Sequence, residues 1–191
     1  YEFSNAFTGK FNGKGHSITG ISWTCDMSKN NVYGLFGAAD GAKISNLVIG
    51  AKGDAITLTG TPDITPSVAG VVGYAENTTI ANVTNNVSII LEGECPQAMP
   101  TSLAGIVGSG FNVTVGGKTK DNAVVNNGNV LVKSKVANAQ AGGTGLQVAG
   151  IMAYVKQGTG SQFINCTNNA HITGPNGRGG GILASIYGSE K

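Results

Sequence analysis

Short hydrophobic runs, each only four to six residues long, follow one another along the whole chain. They are rich in Val and Ile and are bounded by Gly or by Asn-Asn pairs, as in the runs at 44–49 and 103–107. Runs this short and this rich in β-branched residues predict strands rather than helices. The hydrophobic pattern therefore predicts an all-β protein with many turns.

Two patterns repeat along the chain in the same order. The first is Gly, two hydrophobic residues, then Gly or Ala, and it occurs at 34–37, 70–73, 105–108, 150–153 and 181–184. The second surrounds Asn with hydrophobic residues, and it occurs at 44–49, 80–89, 124–130 and 163–172. The first glycines of successive copies are 36, 35, 45 and 31 residues apart. Linked patterns with this spacing indicate an internal repeat of about 35 residues.

The few strands of one repeat cannot bury a core alone, but repeats stacked on one another can. We therefore expect one domain, 1–191, folded as a right-handed parallel β-helix of about five irregular coils with loop insertions. The Asn pairs 85–86, 126–127 and 168–169 fit corners, because Asn tolerates the left-handed conformation, and stacked corners would form amide ladders. A β-sandwich, which also has short strands and frequent turns, is the alternative fold.

Variable insertions separate the repeats. Their Pro, Gly, Thr and Lys content predicts surface loops, and insertions in repeat proteins often build a binding face. The insertions are 62–66, 92–100, 115–121, 137–145 and 156–160.

Composition narrows the function classes. The 31 glycines and the low charge, 12 Lys and Arg with 10 Asp and Glu, are unlike those of a helical bundle or an α/β enzyme. The net charge is only +2 and the lysines are scattered, so nucleic acid is not an expected partner. No apolar run is long enough to span a membrane. Cys25, Cys95 and Cys166 allow at most one disulfide, and neither a metal site nor a cofactor is expected.

The segment 34–37, Gly-Leu-Phe-Gly, with the Ala-Lys-Ile-Ser-Asn-Leu at 42–47, closely resembles the GLUG motif. The stretch 7–21 is similar to the lead-in that often precedes this motif in bacterial surface proteins, and weaker copies extend the likeness to about residue 187. The resemblance implies a segment of a larger secreted or surface-attached bacterial protein of adhesin type. The later copies have Val or Ile for Leu, and the motif itself carries no catalytic residue.

Candidate catalytic groups are few. Parallel β-helices include polysaccharide lyases and glycoside hydrolases, and hydrolysis needs two nearby carboxylates. Glu92 and Glu94 form the one local pair, which a solvated strand end also explains. His16 in a turn and His171 in a predicted strand read as structural or exposed, and 176–181 as an inter-coil turn. The N-x-S/T sequons are read as products of an Asn-rich composition; they begin at Asn77, Asn82, Asn86, Asn112 and Asn165.

Aromatic residues give the one indication of a ligand surface. Tyr74 and Tyr154 directly follow the Gly-x-x-Gly/Ala unit, and Tyr187 comes two residues later than the matching place in the last copy. Stacked aromatic rings can bind sugars, although core packing explains them equally well. The first hypothesis is thus a non-catalytic extracellular or cell-surface module that binds host or bacterial glycans or proteins. The alternative is a carbohydrate-active enzyme, a polysaccharide lyase or glycoside hydrolase, with a groove along the solenoid.

Overall fold

A computed structural model of the chain describes residues 5–95, 100–134, 145–156, 160–174 and 177–187. This part of the chain holds strands and one short 3-10 turn, Lys120–Asn122, with no α-helix. The strands are β1 (Lys10–Asn12), β2 (Ser17–Ile18), β3 (Ser22–Asp26), β4 (Val32–Tyr33), β5 (Phe36–Asp40), β6 (Lys43–Ile49), β7 (Ala55–Thr59), β8 (Ser67–Ala69), β9 (Val72–Glu76), β10 (Thr79–Asn85), β11 (Ser88–Leu91), β12 (Ser102–Ala104), β13 (Val107–Phe111), β14 (Thr114–Gly116), β15 (Val124–Asn126), β16 (Val130–Val132), β17 (Gln147–Ala149), β18 (Met152–Val155), β19 (Gln162–Ile164), β20 (Cys166–Asn168), β21 (Arg178–Gly180) and β22 (Leu183–Ile186).

The strands form four sheets, which the chain visits in a fixed order. Sheet 1 contains β1, β2, β6, β10, β14, β15, β19 and β20, and sheet 2 contains β3, β7, β11 and β16. Sheet 3 contains β4, β8, β12, β17 and β21, and sheet 4 contains β5, β9, β13, β18 and β22. The chain passes from sheet 1 to sheets 2, 3 and 4 and then returns to sheet 1. In the last pass, between β20 and β21, only an isolated bridge of Ile172 with Val130 takes the place of a strand in sheet 2.

Neighbouring strands in every sheet are parallel, which confirms the all-β prediction with parallel pairing. Each strand pairs with the equivalent strand of the next repeat, so Ile44 is opposite Ile80, and Ile80 is opposite Val115. In sheet 3, Val68 is opposite Leu103 in the same way. The sequence repeat is therefore also the repeat of strand pairing.

The core runs through the middle of the four sheets as columns of aliphatic side chains. One residue from each sheet in the second repeat illustrates the set: Ile80 in sheet 1, Ile89 in sheet 2, Val68 in sheet 3 and Val72 in sheet 4 are all fully buried in one cluster. Burying a side chain of this size stabilises the fold by roughly 1.5–3 kcal/mol. The repeated hydrophobic positions of the sequence are these core columns.

The Gly unit and the Asn unit fit together, which explains why they recur as a pair. A Cβ on Gly105 would overlap the side-chain amide of Asn126, which is fully buried. The same holds for Gly70 with Asn85 and for Gly150 with Asn168. The first glycine of these units is therefore required because an asparagine amide occupies the space that its side chain would take.

The Asn pairs form two ladders, as predicted, but their backbone conformation was predicted wrongly. The side chains of Asn85 and Asn126 are linked by a hydrogen bond of 2.8 Å, and those of Asn86 and Asn127 by one of 3.0 Å. None of these residues has a positive φ. The first Asn of each pair instead bonds the backbone two residues ahead, as Asn85 does with Val87. This side-chain turn makes the left-handed conformation unnecessary there.

The left-handed conformation occurs at other asparagines. It is found at the bend within sheet 1, at Asn46, Asn82 and Asn165, and at Asn77 and Asn112 before β10 and β14. All five sequon asparagines use their amide nitrogen as a donor to a neighbouring repeat; the acceptors are Asp40 Oδ1, Asn46 Oδ1, Gly50 O, Asn77 Oδ1 and Gly117 O. A glycan on any of these nitrogens would have to disturb that inter-repeat bond.

A predicted surface loop, 115–121, and a predicted turn, 176–181, contain strands instead. Within 115–121, Val115 lies in β14 and is fully buried opposite Ile80, so its apolar side chain continues a core column. Within 176–181, Arg178–Gly180 is β21, because its backbone pairs with Gln147–Ala149. Residues 62–66 are free of strands, as expected. The predicted insertions 92–100, 137–145 and 156–160 fall wholly or partly outside the described residues.

Aromatic rings cover the end of the core that is formed by the first strands of the sheets. Phe11 occupies the column of Ile44, and Phe36 occupies the column of Val72. The Phe36 ring centroid lies 4.9 Å from that of Phe7 and 5.4 Å from that of Phe11. Trp23, in the column of Ile56, is 38% exposed and lies at the surface. Larger side chains thus cover the aliphatic columns where they begin.

Candidate functional site

A cavity of about 230 Å³ brings the three predicted ligand-binding tyrosines together. Tyr74, Tyr154 and Tyr187 all line it. The other lining residues are Thr65, Pro100, Ser102, Ser109 and Lys156. The lining is mainly apolar, with hydroxyl groups and one cation among the residues that form it. Tyrosines that are up to 113 residues apart in sequence therefore border one space.

The cavity lies where sheets 3 and 4 meet, outside the main core. In sheet 4, Tyr74, Ser109, Tyr154 and Ser185 occupy one column. Val72 and Ala75 belong to the main core cluster and Tyr74 does not, so the Tyr74 side chain leaves the core between them. In three of the five Gly-x-x-Gly/Ala units the residue that follows the unit therefore lines the cavity; these residues are Tyr74, Ser109 and Tyr154.

Buried hydroxyl groups join sheets 3 and 4 beside the cavity. Ser67 Oγ donates to the carbonyl oxygen of Gly73 at 2.7 Å and lies 2.6 Å from Ser109 Oγ. Ser102 Oγ donates to Gln147 Oε1 at 3.1 Å. These groups are at most 6% exposed, and buried hydrogen bonds of this kind hold their side chains in one geometry. The floor of the cavity is thus fixed by the scaffold before any ligand arrives.

Tyr74 forms the closed end of the cavity. Its side chain is 1% exposed, and its hydroxyl donates to Glu76 Oε1 at 2.5 Å. A ring held in this way offers a rigid wall but little surface for a new contact. The structure therefore gives Tyr74 a supporting position, and the accessible aromatic surface belongs to the other two tyrosines.

Tyr154 and Tyr187 form the open part. Tyr154 is half-buried, and burial raises the pKa of its phenol, with the neighbouring Tyr187 phenol adding to the rise and Arg178 opposing it. Tyr187 is 63% exposed. Arg178 is held near this place by a hydrogen bond of 3.0 Å from its guanidinium to Ser185 Oγ. Lys156 lines the cavity itself. Arg178 does not line it, but the Ser185 that it bonds is opposite Tyr154 in sheet 4.

The other sequence candidates lie elsewhere. Glu92 pairs with Lys133 at 3.2 Å, and Glu94 accepts a hydrogen bond from Thr61, so the two carboxylates have different partners. His16 is exposed in a turn, as predicted. His171 is exposed and lies outside any strand, where its backbone N–H donates to Asn129 Oδ1. None of these four residues lines the cavity.

The described residues contain no cluster of three or more His, Cys, Asp or Glu side chains that could hold a metal ion. The three cysteines are free thiols. Burial raises the pKa of all three thiols, Cys25, Cys95 and Cys166, which keeps them protonated and poor metal ligands. The residues that line the cavity offer hydroxyl, aromatic and cationic groups.

Sequence reasoning missed Ser102, Ser109 and Lys156, which line the cavity. Ser67, Ser102 and Gln147 hold the same position, two residues before the Ala that precedes each Gly unit, and they are opposite one another in sheet 3. This repeated polar residue inside a hydrophobic run was the signal in the sequence that could have identified Ser102. Lys156 had no such signal, because its place depends on how β18 ends.

No helix among the described residues has the length and apolar character needed to cross a bilayer.

Comparisons with known proteins identify no relative of this chain. No protein-family model, curated protein or solved structure is significantly similar to this chain.

Proposed function

We propose that this chain is a non-catalytic, glycan-binding module of a bacterial surface or secreted protein, folded as a right-handed parallel β-helix. The fold proposal is supported by the fixed order in which the chain visits four parallel sheets. A β-sandwich gives antiparallel pairs between strands of individual identity, so its pairing would differ. A right-handed course is the strong default for parallel crossovers.

The observation that carries the binding proposal is the shared cavity of Tyr154 and Tyr187. Thr65, Ser102 and Ser109, which carry hydroxyl groups, line the same cavity. Sugar rings present apolar C–H faces, which pack on aromatic rings, and hydroxyls, which exchange hydrogen bonds with such groups. A cavity of about 230 Å³ accommodates one ring, with the rest of a glycan outside.

The non-catalytic part of the proposal follows from the lining. No Asp or Glu is among the described residues that line the cavity, and the nearby Glu76 carboxylate accepts the hydrogen bond of Tyr74. Glycoside hydrolysis needs a pair of carboxylates about 5–10 Å apart across the bound sugar. The GLUG-like segments 34–37 and 42–47 support the remaining proposal, an adhesin-like protein located outside the cell.

A glycan array containing neutral and acidic oligosaccharides tests this function. We expect wild-type protein to bind a subset of the glycans without cleaving them. Tyr187→Ala should weaken that binding about fivefold, since losing one aromatic stacking partner costs on the order of 1 kcal/mol. The bound glycans should be recovered intact, as checked by mass spectrometry.

The matched control is Ile186→Ala. Ile186 is 55% exposed, is the direct neighbour of Tyr187 and does not line the cavity. We expect this variant to bind like the wild type. Equal loss of binding in both variants, or an array with no bound glycan, would refute the binding proposal, and cleaved products would refute its non-catalytic part.

A further inference from the structure

The charges around the cavity point to a narrower class of ligand. Among the described residues that line it, Lys156 is the one that carries a charge. Arg178 reaches the same column of sheet 4, because its guanidinium bonds Ser185 Oγ at 3.0 Å and Ser185 is opposite Tyr154. Two cations therefore adjoin the accessible aromatic surface.

Neither cation has a carboxylate partner in the described part of the chain. The one ion pair found there is Lys133 with Glu92, and the guanidinium of Arg178 bonds the neutral hydroxyl of Ser185. Glu76, the acidic group nearest to Tyr74, is bonded to the hydroxyl at the closed end of the cavity. The open end is thus positively charged although the whole chain carries only +2.

Resting on the proposed glycan binding, we propose that the cavity selects acidic sugars, with the ring on Tyr154 and Tyr187 and its negative group on Lys156. A hydrogen bond to an ionised group is about twice as strong as a neutral one, and a partly enclosed pair is screened less by salt than an exposed pair. A carboxylate and a sulfate ester supply the same charge, so both are sources of the proposed ligand. Arg178 contributes through its field, because it is held by Ser185 and does not line the cavity.

The test compares three monosaccharides that share one ring: methyl galacturonide, galactose 6-sulfate and neutral methyl galactoside. Binding is followed by ligand-observed NMR at low and at high salt. We expect the better acidic sugar to bind wild type at least about tenfold more tightly than the neutral sugar, with the gap narrowing at high salt. Which acidic sugar is preferred identifies the source of the charge.

Lys156→Met should remove the preference for the acidic sugar and leave the weaker binding of methyl galactoside unchanged. Lys156→Arg should retain the preference. Lys118→Met is the control, because it removes one equally charged, exposed side chain that does not line the cavity. Thermal unfolding of each variant checks that the fold is intact.

The outcomes separate this inference from the proposed function. If the neutral and the acidic sugars bind equally, or if Lys118→Met reduces the preference as much as Lys156→Met, the cavity is not selective for charge and the inference is wrong while glycan binding stands. If wild type binds none of the three sugars and no glycan of the array, both proposals fail. If array binding is confined to neutral glycans, the inference alone fails.

Discussion

Two columns of asparagine amides run side by side through one corner of the molecule. The inner ladder is Asn85, Asn126 and Asn168, and the outer ladder is formed by the next residue of each pair, Asn86, Asn127 and Asn169. The middle rung of the inner ladder is fully buried, whereas the middle rung of the outer ladder is exposed. The same residue type, repeated at the same spacing, thus serves in two environments one residue apart.

The hydrogen bonds of the two middle rungs differ as well. Asn126 uses both amide hydrogens and both oxygen lone pairs, on Asn85, Asn168 and the backbone N–H and C=O of Gly128. Asn127 makes one bond up and one bond down its ladder, and water can replace either. Leaving a buried polar group without its partner costs the full desolvation free energy of that group, whereas an exposed group is solvated by water instead. The inner ladder therefore stabilises the corner through buried hydrogen bonds, whereas the outer ladder contributes little because water can replace its bonds.

The largest effect is expected from Asn126→Ala. This change leaves the backbone groups of Gly128 and the facing amide atoms of Asn85 and Asn168 without their partner. We expect the free energy of unfolding to fall by about 4 kcal/mol, because several buried polar groups become unsatisfied. Urea unfolding followed by circular dichroism measures it. A loss below about 1 kcal/mol would show that burial does not distinguish the two ladders.

Gly105→Ala should cost somewhat less. Its Cβ would overlap the Asn126 amide, which its four hydrogen bonds hold in place, and overpacking of this kind costs about 1–3 kcal/mol. In the double variant with Asn126→Ala the overlap is absent, so the two losses should not add. Gly181→Ala is the control, since no atom lies within 4 Å of its added Cβ. Additive losses in the double variant would contradict the fit between the two repeated units.

Asn126→Asp should make stability depend on pH. Burial among the acceptor oxygens of Gly128 and Asn168 should raise the pKa of the new carboxyl above its unfolded value of about 4. The folded state then favours the protonated form, so the variant is closest to wild type below pH 4 and loses stability as the pH rises through the folded pKa. Unfolding midpoints of variant and wild type at pH 4 and pH 7 measure this. Asn127→Asp, exposed to water, should show no comparable change.

The smallest effect is expected from Asn127→Ala. Its amide bonds to Asn86 and Asn169 are exposed, and an exposed bond contributes at most about 0.5 kcal/mol because water replaces it. The midpoint of urea unfolding should therefore shift only slightly. A shift equal to that of Asn126→Ala would mean that the outer ladder fixes the corner as firmly as the inner one.

The ladders also show how far the sequence alone can lead. The spacing of the Asn pairs predicted stacked corners, because equal spacing in a repeat protein places residues in one column. The backbone conformation of Asn85 could not be read in this way, since the choice between a left-handed residue and a side-chain turn depends on Val87 and Gly70. The left-handed asparagines, such as Asn46 and Asn82, carry no local signal that sets them apart from the pairs.

The cavity was predictable only in part. Tyr74 and Tyr154 were found because each follows a copy of the Gly unit, and parallel stacking places such residues in one column. Whether the side chains of that column point into the core or into the cavity depends on how sheets 3 and 4 meet. The sequence of a single repeat does not show this. Lys156 is placed by the end of β18 and has no equivalent charged residue in the neighbouring strand, where Phe111 follows Gly110.

The unequal spacing of the repeats has a consequence for loop-closure entropy. Val68 pairs with Leu103, 35 residues later, and Leu103 pairs with Val148, 45 residues later, yet the register around each pair is the same. Lengthening a closed loop from 35 to 45 residues costs only about 0.2 kcal/mol of chain entropy. The segments between these strands can therefore change in length and composition at almost no cost to the pairing, which leaves the edge of the cavity near Pro100 free to diversify.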